Sequence, residues 1–322
     1  MQYGALLRFL VRRIGLSLLT LWLLSIVVFL GCQVLPGDPA RAILGPLADP
    51  RAVASLNERL GADRPPVKIY LSWVGGILTG DLGQSYAYRS PVAPFVGTAL
   101  VNSLKLAATV FAIVVPFALA AGVLAALNAG HAVDRIISIA SLSLTVIPEF
   151  VSSIALILLF AVILRWLPLS ATWPAGSGSL VQIQHLILPA MPLVIVLFGY
   201  IARMTRAGTI EALSADYTRT AVLKGLPWRT VLGRHVLRNA LLPTITVIAA
   251  QMGYALGGLV VVESLFRYQG IGGLVLGAAR AKDFAMLQAG VLTIGAFFVV
   301  TTLIADTLTS LLDPRLRTGG RR

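Results

Sequence analysis

IGLSLLTLWLLSIVVFLGCQVL, residues Ile14–Leu35, runs for 22 residues without a charge. About 20 apolar residues in a helix cross a hydrocarbon layer about 30 Å thick. The stretch therefore reads as a membrane-spanning helix. Arg8, Arg12 and Arg13 precede it, as basic residues precede a secretory signal. Its apolar length exceeds the roughly 7–15 residues of a signal core, and no A-x-A site follows, so an uncleaved span is expected. It stops at Leu35-Pro36-Gly37-Asp38-Pro39, where proline and glycine end a helix.

Five more such runs follow, at Leu104–Leu127, Ile136–Leu164, Leu186–Met204, Leu241–Val262 and Leu287–Leu312. The whole chain of 322 residues is 57% hydrophobic and only 12% charged, with mean hydropathy +0.86. A soluble protein of this size needs more charge to cover its surface. The expectation is an all-α membrane protein with about six transmembrane helices. Residues 1–35 form a tail and the first span, and 36–102 a long polar segment outside the membrane. Residues 103–312 form a core of five spans, and 313–322 a second tail.

The net charge of +13 comes from 26 Lys+Arg against 13 Asp+Glu. The basic residues flank apolar runs and do not cluster with aromatics on one polar face, which argues against nucleic acid and for membrane topology. Three lie at Arg8–Arg13, one at Arg135, seven between Arg203 and Arg238, and four between Arg315 and Arg322. Short connections on the inner side of a membrane carry such an excess, so both termini are expected in the cytoplasm. Cys32 is the only cysteine, which leaves no intrachain disulfide and no cysteine-based metal site. Outside the membrane, Val67–Thr79 looks amphipathic and suits a membrane surface. Arg165–His185 is a second outside loop.

The connection Thr205–Ala240 is the most informative. It is too polar to insert and too patterned to be slack. Glu211–Leu223 reads as one short helix, stopped by Lys224-Gly225, a cation in the last turn and then the residue that tolerates a left-handed backbone. Pro227 opens a second helix, Trp228–Leu242, with Val231, Leu232, Val236 and Leu237 on one side. Such a pair is either a docking element or an amphipathic loop resting on headgroups.

Asp216-Tyr217-x-Arg219-Thr220-Ala221-x-x-Lys224-Gly225 and His235-x-Leu237-Arg238-Asn239-Ala240-Leu241-Leu242-Pro243 carry a resemblance. They are similar to the "EAA" loop of permease subunits of binding-protein-dependent ABC importers, closest to the first-permease type of the oligopeptide, dipeptide and nickel branch. Further matches run along the whole chain: Leu35-Pro36-Gly37-Asp38-Pro39, Gly80-Asp81-Leu82-Gly83-x-Ser85, Ile147-Pro148-x-Phe150, Glu263-x-x-Phe266, Gly270-Ile271-Gly272 and Leu312-Asp313-Pro314-Arg315. The general loop pattern has an acidic residue and then Ala-Ala, where this chain has Arg219, Thr220 and Ala221. That departure, and the long gap from Gly225 to Pro243, are usual for the peptide branch. Glu149 also departs, standing where a neutral residue is usual.

The resemblance implies a type I importer permease core with an extracytoplasmic insertion after the first helix, in a bacterial or archaeal inner membrane. A second homologous permease would complete the pathway for peptides. Two cytoplasmic ATPase subunits would bind the ATP and Mg, with no cofactor in this chain. An external binding protein would deliver substrate. The helix before Gly225 would seat on the ATPase, through Asp216, Tyr217, Arg219, Thr220, Ala221, Lys224 and Gly225. No G-x-x-x-x-G-K-[ST] run is present, so the chain is expected to be no enzyme.

Ionisable residues inside spans are functional candidates. Glu149, just after Pro148, reads as a mid-span carboxylate at a bend, placed to meet a peptide ammonium or a metal cation, or to pair with a neighbouring span. Glu263 ends the fifth span on the outside, as a helix-end or gate contact. Asp306, near the inner end of the sixth, suits a structural hydrogen bond. His131, His185 and His235 form no metal-ligand spacing. Nickel or a metal chelate stays open as the solute. A lone secondary transporter would need inverted repeats and several buried acids, and a membrane enzyme a catalytic constellation.

Overall fold

The computed structural model describes residues 2–34, 39–45, 47–60, 64–174 and 176–312. The Leu35–Pro39 stop and the 313–322 tail thus lie wholly or mostly outside the described residues. Helices follow one another throughout: α1 (Gln2–Val34), α2 (Pro39–Leu44), α3 (Pro50–Leu60), α4 (Pro66–Thr79), α5 (Val92–Leu127), α6 (Ala132–Val146), α7 (Glu149–Leu156), α8 (Ser179–Ser214) and α9 (Asp216–Leu223). Then come α10 (Trp228–Thr230), α11 (Arg238–Leu265), α12 (Ile271–Ala281) and α13 (Phe284–Leu312). Residues Val231–Leu237 join α10 to α11 as a π-helical stretch, and Ile157–Ile163 extend α7 in the same way. Among the described residues four helices are long and apolar enough to cross a membrane, and two bent pairs, each taken as one span, bring the number up to six.

The centre is α8, packed against α5 and α11. Leu106, Val110, Val114 and Ala118 recur every fourth residue, so they line one stripe of α5. They meet Leu193, Leu197 and Ile201 of α8 and Leu259 and Val262 of α11. Glycines let the backbones approach: a Cβ on Gly122 of α5 would lie 2.6 Å from the Ala202 carbonyl oxygen of α8. Small residues serve this purpose between helices in lipid, where apolar burial drives nothing. Outward, Trp22, Val27, Phe117, Ile136 and Ile139 are exposed, as a lipid-facing shell requires.

Five expectations are corrected. The third span, read as one helix over Ile136–Leu164, is two helices meeting at 103°. Ile147 and Pro148 at the joint are extended (φ −72°, ψ 120° and φ −60°, ψ 143°). A proline drives the residue before it out of the helical region, and here it breaks the helix instead of kinking it. Glu149 is therefore the first residue of α7, at the break between the two halves of the span.

The fourth span is longer at both ends than Leu186–Met204, because α8 runs unbroken from Ser179 to Ser214. The helix expected over Glu211–Leu223 is accordingly split at Ala215, which is extended (φ −73°, ψ 146°). The second short helix is not separate either, since 228–265 are continuous in helical hydrogen bonding. Hydropathy marks only the lipid-crossing part of a helix, whereas backbone hydrogen bonding carries it on into polar surroundings. For the same reason α5 starts at Val92, ahead of the apolar run at Leu104.

The Val67–Thr79 segment lies within α4, which packs on α1. Tyr70 and Ser25 share a hydroxyl hydrogen bond of 2.8 Å, and Phe29 meets Tyr70 edge to face at 5.3 Å. At the far end of α1, Arg13 pairs with Asp306 of α13 at 2.6 Å, the structural contact expected for that acid.

A second ion pair clamps α6 to α8. Arg206 donates from Nε and Nη2 to the two oxygens of Asp134, at 2.5 and 2.7 Å. Asp134 also accepts from the Gly130 amide at 3.0 Å and the Ser138 hydroxyl at 3.2 Å. Removing one partner of a half-buried pair leaves the other charge without its hydrogen bonds. Asp134→Ala is expected to destabilise the protein, read as a lowered thermal midpoint in detergent. A midpoint equal to wild type would show the pair to be ornamental.

Candidate coupling and pathway sites

Helix α9 is short because both of its ends are sharply set. Ala215 turns the chain away from α8, and the Thr218 hydroxyl donates back to the Ala212 carbonyl at 2.7 Å. Asp216 sits in the first turn, where a negative charge complements the exposed amides. Gly225 closes the other end with φ +73°, a backbone open to glycine without strain. Its amide donates to Val222 and the Leu226 amide to Ala221, which satisfies the last carbonyls.

One face of α9 is glued down. Thr218 and Ala221 are buried, Ala221 in a small core with Ala212, Val231, Val236 and Ala240. Beneath it, Gly208 of α8 brings that helix so close that a Cβ there would lie 2.5 Å from the Ala240 carbonyl oxygen. The end of α8, the π-helical stretch and the start of α11 thus form a pedestal for α9.

The other face is bare. Asp216, Tyr217, Arg219, Thr220, Lys224 and Gly225 are all exposed, so six of the seven residues singled out in sequence share an open surface. Ala221 is the exception. Its small side chain admits the pedestal beneath, and a docking partner cannot touch it. The sequence reading missed Val222, Leu223, Leu226 and Trp228, which are exposed as Tyr217 is, Leu223 at 79%. The available signal was apolar side chains in a connection otherwise too polar for the membrane.

The candidate pathway residues have two different surroundings. Pro148 is exposed at the joint of α6 and α7. Glu149 is half-buried, and among the described residues it makes no ion pair. The Tyr254 hydroxyl of α11 lies 3.4 Å from its Oε1, at the limit of a hydrogen bond. The hydroxyls of Ser152 and Ser153 donate to the Glu149 backbone carbonyl and not to its carboxylate.

Glu263 is the opposite case, fully enclosed. It accepts from the Ser103 hydroxyl of α5 at 2.5 Å and from the Gly272 and Gly273 amides at 2.8 and 3.0 Å. Those amides are the open N-terminus of α12, which favours an anion. Ser103 in turn accepts from the Ile271 amide at 2.8 Å. Glu263 thereby ties α5, α11 and α12 together, in keeping with a helix-end contact. Beside it, burial and then the Glu263 charge push the Tyr268 phenol well above its usual range. The Tyr268 hydroxyl donates to the Asn102 carbonyl at 2.8 Å.

A third carboxylate, Asp283, went unnoticed in the sequence. It is buried, receives the Ser85 hydroxyl and the Ala87 amide, and accepts the Met286 amide at the start of α13. This is what holds the Gly80–Ser85 motif onto the helical core. Among the described residues no three His, Cys, Asp or Glu side chains gather into a metal site.

Residues 118–318 match the family of binding-protein-dependent transport system inner membrane components, and residues 6–120 match the N-terminal region of such membrane components. The glutathione transport system permease protein GsiC of Escherichia coli O6:H1 is 35% identical over 311 residues, 97% of this chain and 99% of its own length. Its counterpart in Escherichia coli K12 is 34% identical over the same shares. A probable peptide ABC transporter permease protein of Sinorhizobium fredii, y4tP, is 34% identical over 309 residues, 96% of this chain and 99% of its own. With both family regions and relatives matching end to end, and six apolar spans around a helical core, this chain belongs to the binding-protein-dependent transport system inner membrane components and is an ABC importer permease.

Proposed function

We propose that this chain forms half of the translocation pathway for di- or oligopeptides, beside a second homologous permease, with substrate delivered by an external binding protein. The names of its relatives, glutathione and peptide permeases, support the solute class. Two ATPase subunits grip α9 from the cytoplasm and bind the ATP and Mg, with none bound here. Both termini lie on that same side of a bacterial or archaeal inner membrane.

The observation that carries the reading is the bare face of α9 on a rigid base. Exposed Tyr217, Val222, Leu223, Leu226 and Trp228 have no place on a surface that meets only water. Arg219 and Lys224 at the edge suit acidic groups on a partner's rim. The base is continuous with two core helices, since α8 runs unbroken into it and the π-helical stretch passes directly into α11. A displacement of α9 by a closing ATPase dimer therefore reaches the spans as a lever, with little slack, and alternates access to the pathway.

Orientation is tested with a single thiol. In a Cys32→Ser background, Arg219→Cys is expected to react with a membrane-impermeant maleimide only after the cells are opened. Labelling from outside intact cells would place α9 away from the nucleotide and end the coupling reading.

A further inference from the structure

Among the described carboxylates that are buried or half-buried, Glu149 is the one the fold leaves least satisfied. The 103° break after Val146 places it at the head of α7, beside α11. Gly258 of α11 makes the room: a Cβ there would lie 3.0 Å from Oε1 and 3.3 Å from the carboxyl carbon. Tyr254, one turn earlier on α11, brings its hydroxyl to 3.4 Å. Arg203, the next cation along α8, is occupied otherwise. Its Nε donates to the Gly199 carbonyl at 3.0 Å, and its guanidinium lies 5.5 Å over the Tyr200 ring.

Tyr254 and Tyr200 are both partly open, and Phe150 beside Glu149 is exposed. A face that carries a carboxylate and phenols at membrane depth cannot rest against lipid tails. It faces the pathway or the second permease. A metal ion needs more ligands than this face offers, and no three His, Cys, Asp or Glu gather among the described residues. An ammonium needs less. Its three donors suit one carboxylate and a phenol oxygen, and aromatic faces attract it further.

We infer that Glu149, seated against Gly258 with Tyr254 at its side, is the point in the pathway that receives the α-ammonium of a passing peptide. The inference rests on the peptide reading above. A single such point holds the charged end of the substrate during passage and lets it go again, because only one carboxylate is committed.

The test uses the whole importer in proteoliposomes, with both permeases, both ATPases and the external binding protein, and labelled alanyl-alanine as probe. Glu149→Gln is expected to lower uptake about tenfold, the loss of one charge-assisted contact. Stimulation of ATP hydrolysis by the loaded binding protein should persist, and Glu149→Asp should recover at least half of the uptake. Wild-type uptake by Glu149→Gln, or no recovery by Glu149→Asp, would overturn the inference. Loss of the second permease from the purified Glu149→Gln complex would overturn it too, by showing a subunit contact. If the wild-type importer takes up no dipeptide although its ATPase responds to another loaded solute, the peptide reading falls, and this inference with it.

Discussion

Replacing Val222 and Leu223 together by Asp is expected to strip the ATPase subunits from the purified permease and to stop ATP-driven uptake. Both side chains are exposed on α9, and neither belongs to the core that Ala221 forms with Val231, Val236 and Ala240. The substitution therefore leaves the pedestal intact and acts on the docked surface alone. An apolar anchor at the centre of an interface contributes about 2 kcal/mol, so losing two weakens binding roughly a thousandfold. Two buried and unpaired carboxylates in the same contact add to that loss. The measurement is copurification, with the thermal midpoint as control. An ATPase that stays bound to the double variant would show that α9 is not the grip. Arg219→Ala, at the rim, is expected to cost far less and to depend on salt.

The second large effect concerns the bundle itself. Gly199 of α8 sits directly against the backbone of α6. A Cβ there would overlap the Thr145 hydroxyl and the Ser141 carbonyl oxygen. Thr145 Oγ1 already donates to that carbonyl at 2.7 Å, so neither atom can withdraw without breaking the bond. Alanine in place of glycine gains up to about 1 kcal/mol of helix propensity. The steric cost of forcing two helices apart is about 3 kcal/mol, so the clash wins. Gly199→Ala is expected to lower the thermal midpoint and the amount of protein in the membrane, and Gly199→Leu to abolish folded protein. Thr145→Ala in the Gly199→Ala background should recover part of the loss, because it removes one of the two obstructions. A Gly199→Ala protein as stable as wild type would mean that α6 and α8 stand further apart than described.

These two expectations draw on different kinds of information. The existence of α9 and its stop at Lys224-Gly225 are local, and both are written in residue types. Its inner and outer faces are not. Ala221 looks as suited to a partner's surface as to a pedestal, and only the position of Val231 and Val236 beneath it decides. Leu223 looks like an ordinary apolar residue until nothing is found to cover it. In the same way periodicity cannot show that Ile147 and Pro148 are extended, which puts Glu149 at the head of a new helix and not inside a continuous one. Asp134 and Asp283 carry no signal at all, since their partners Arg206 and Ser85 lie far away along the chain.

By itself, then, the sequence determined that this is a helical membrane protein with six apolar crossings, and that a patterned polar element lies between the fourth and fifth. Those features depend on side-chain hydrophobicity and on backbone preferences of neighbours a few residues apart. Tertiary structure alone decided where the third crossing breaks, how far α8 and α11 reach beyond the lipid, which carboxylates are satisfied, and which face of α9 is left open. Each of those is a contact between distant segments, and burial and pairing exist only once the helices have been brought together.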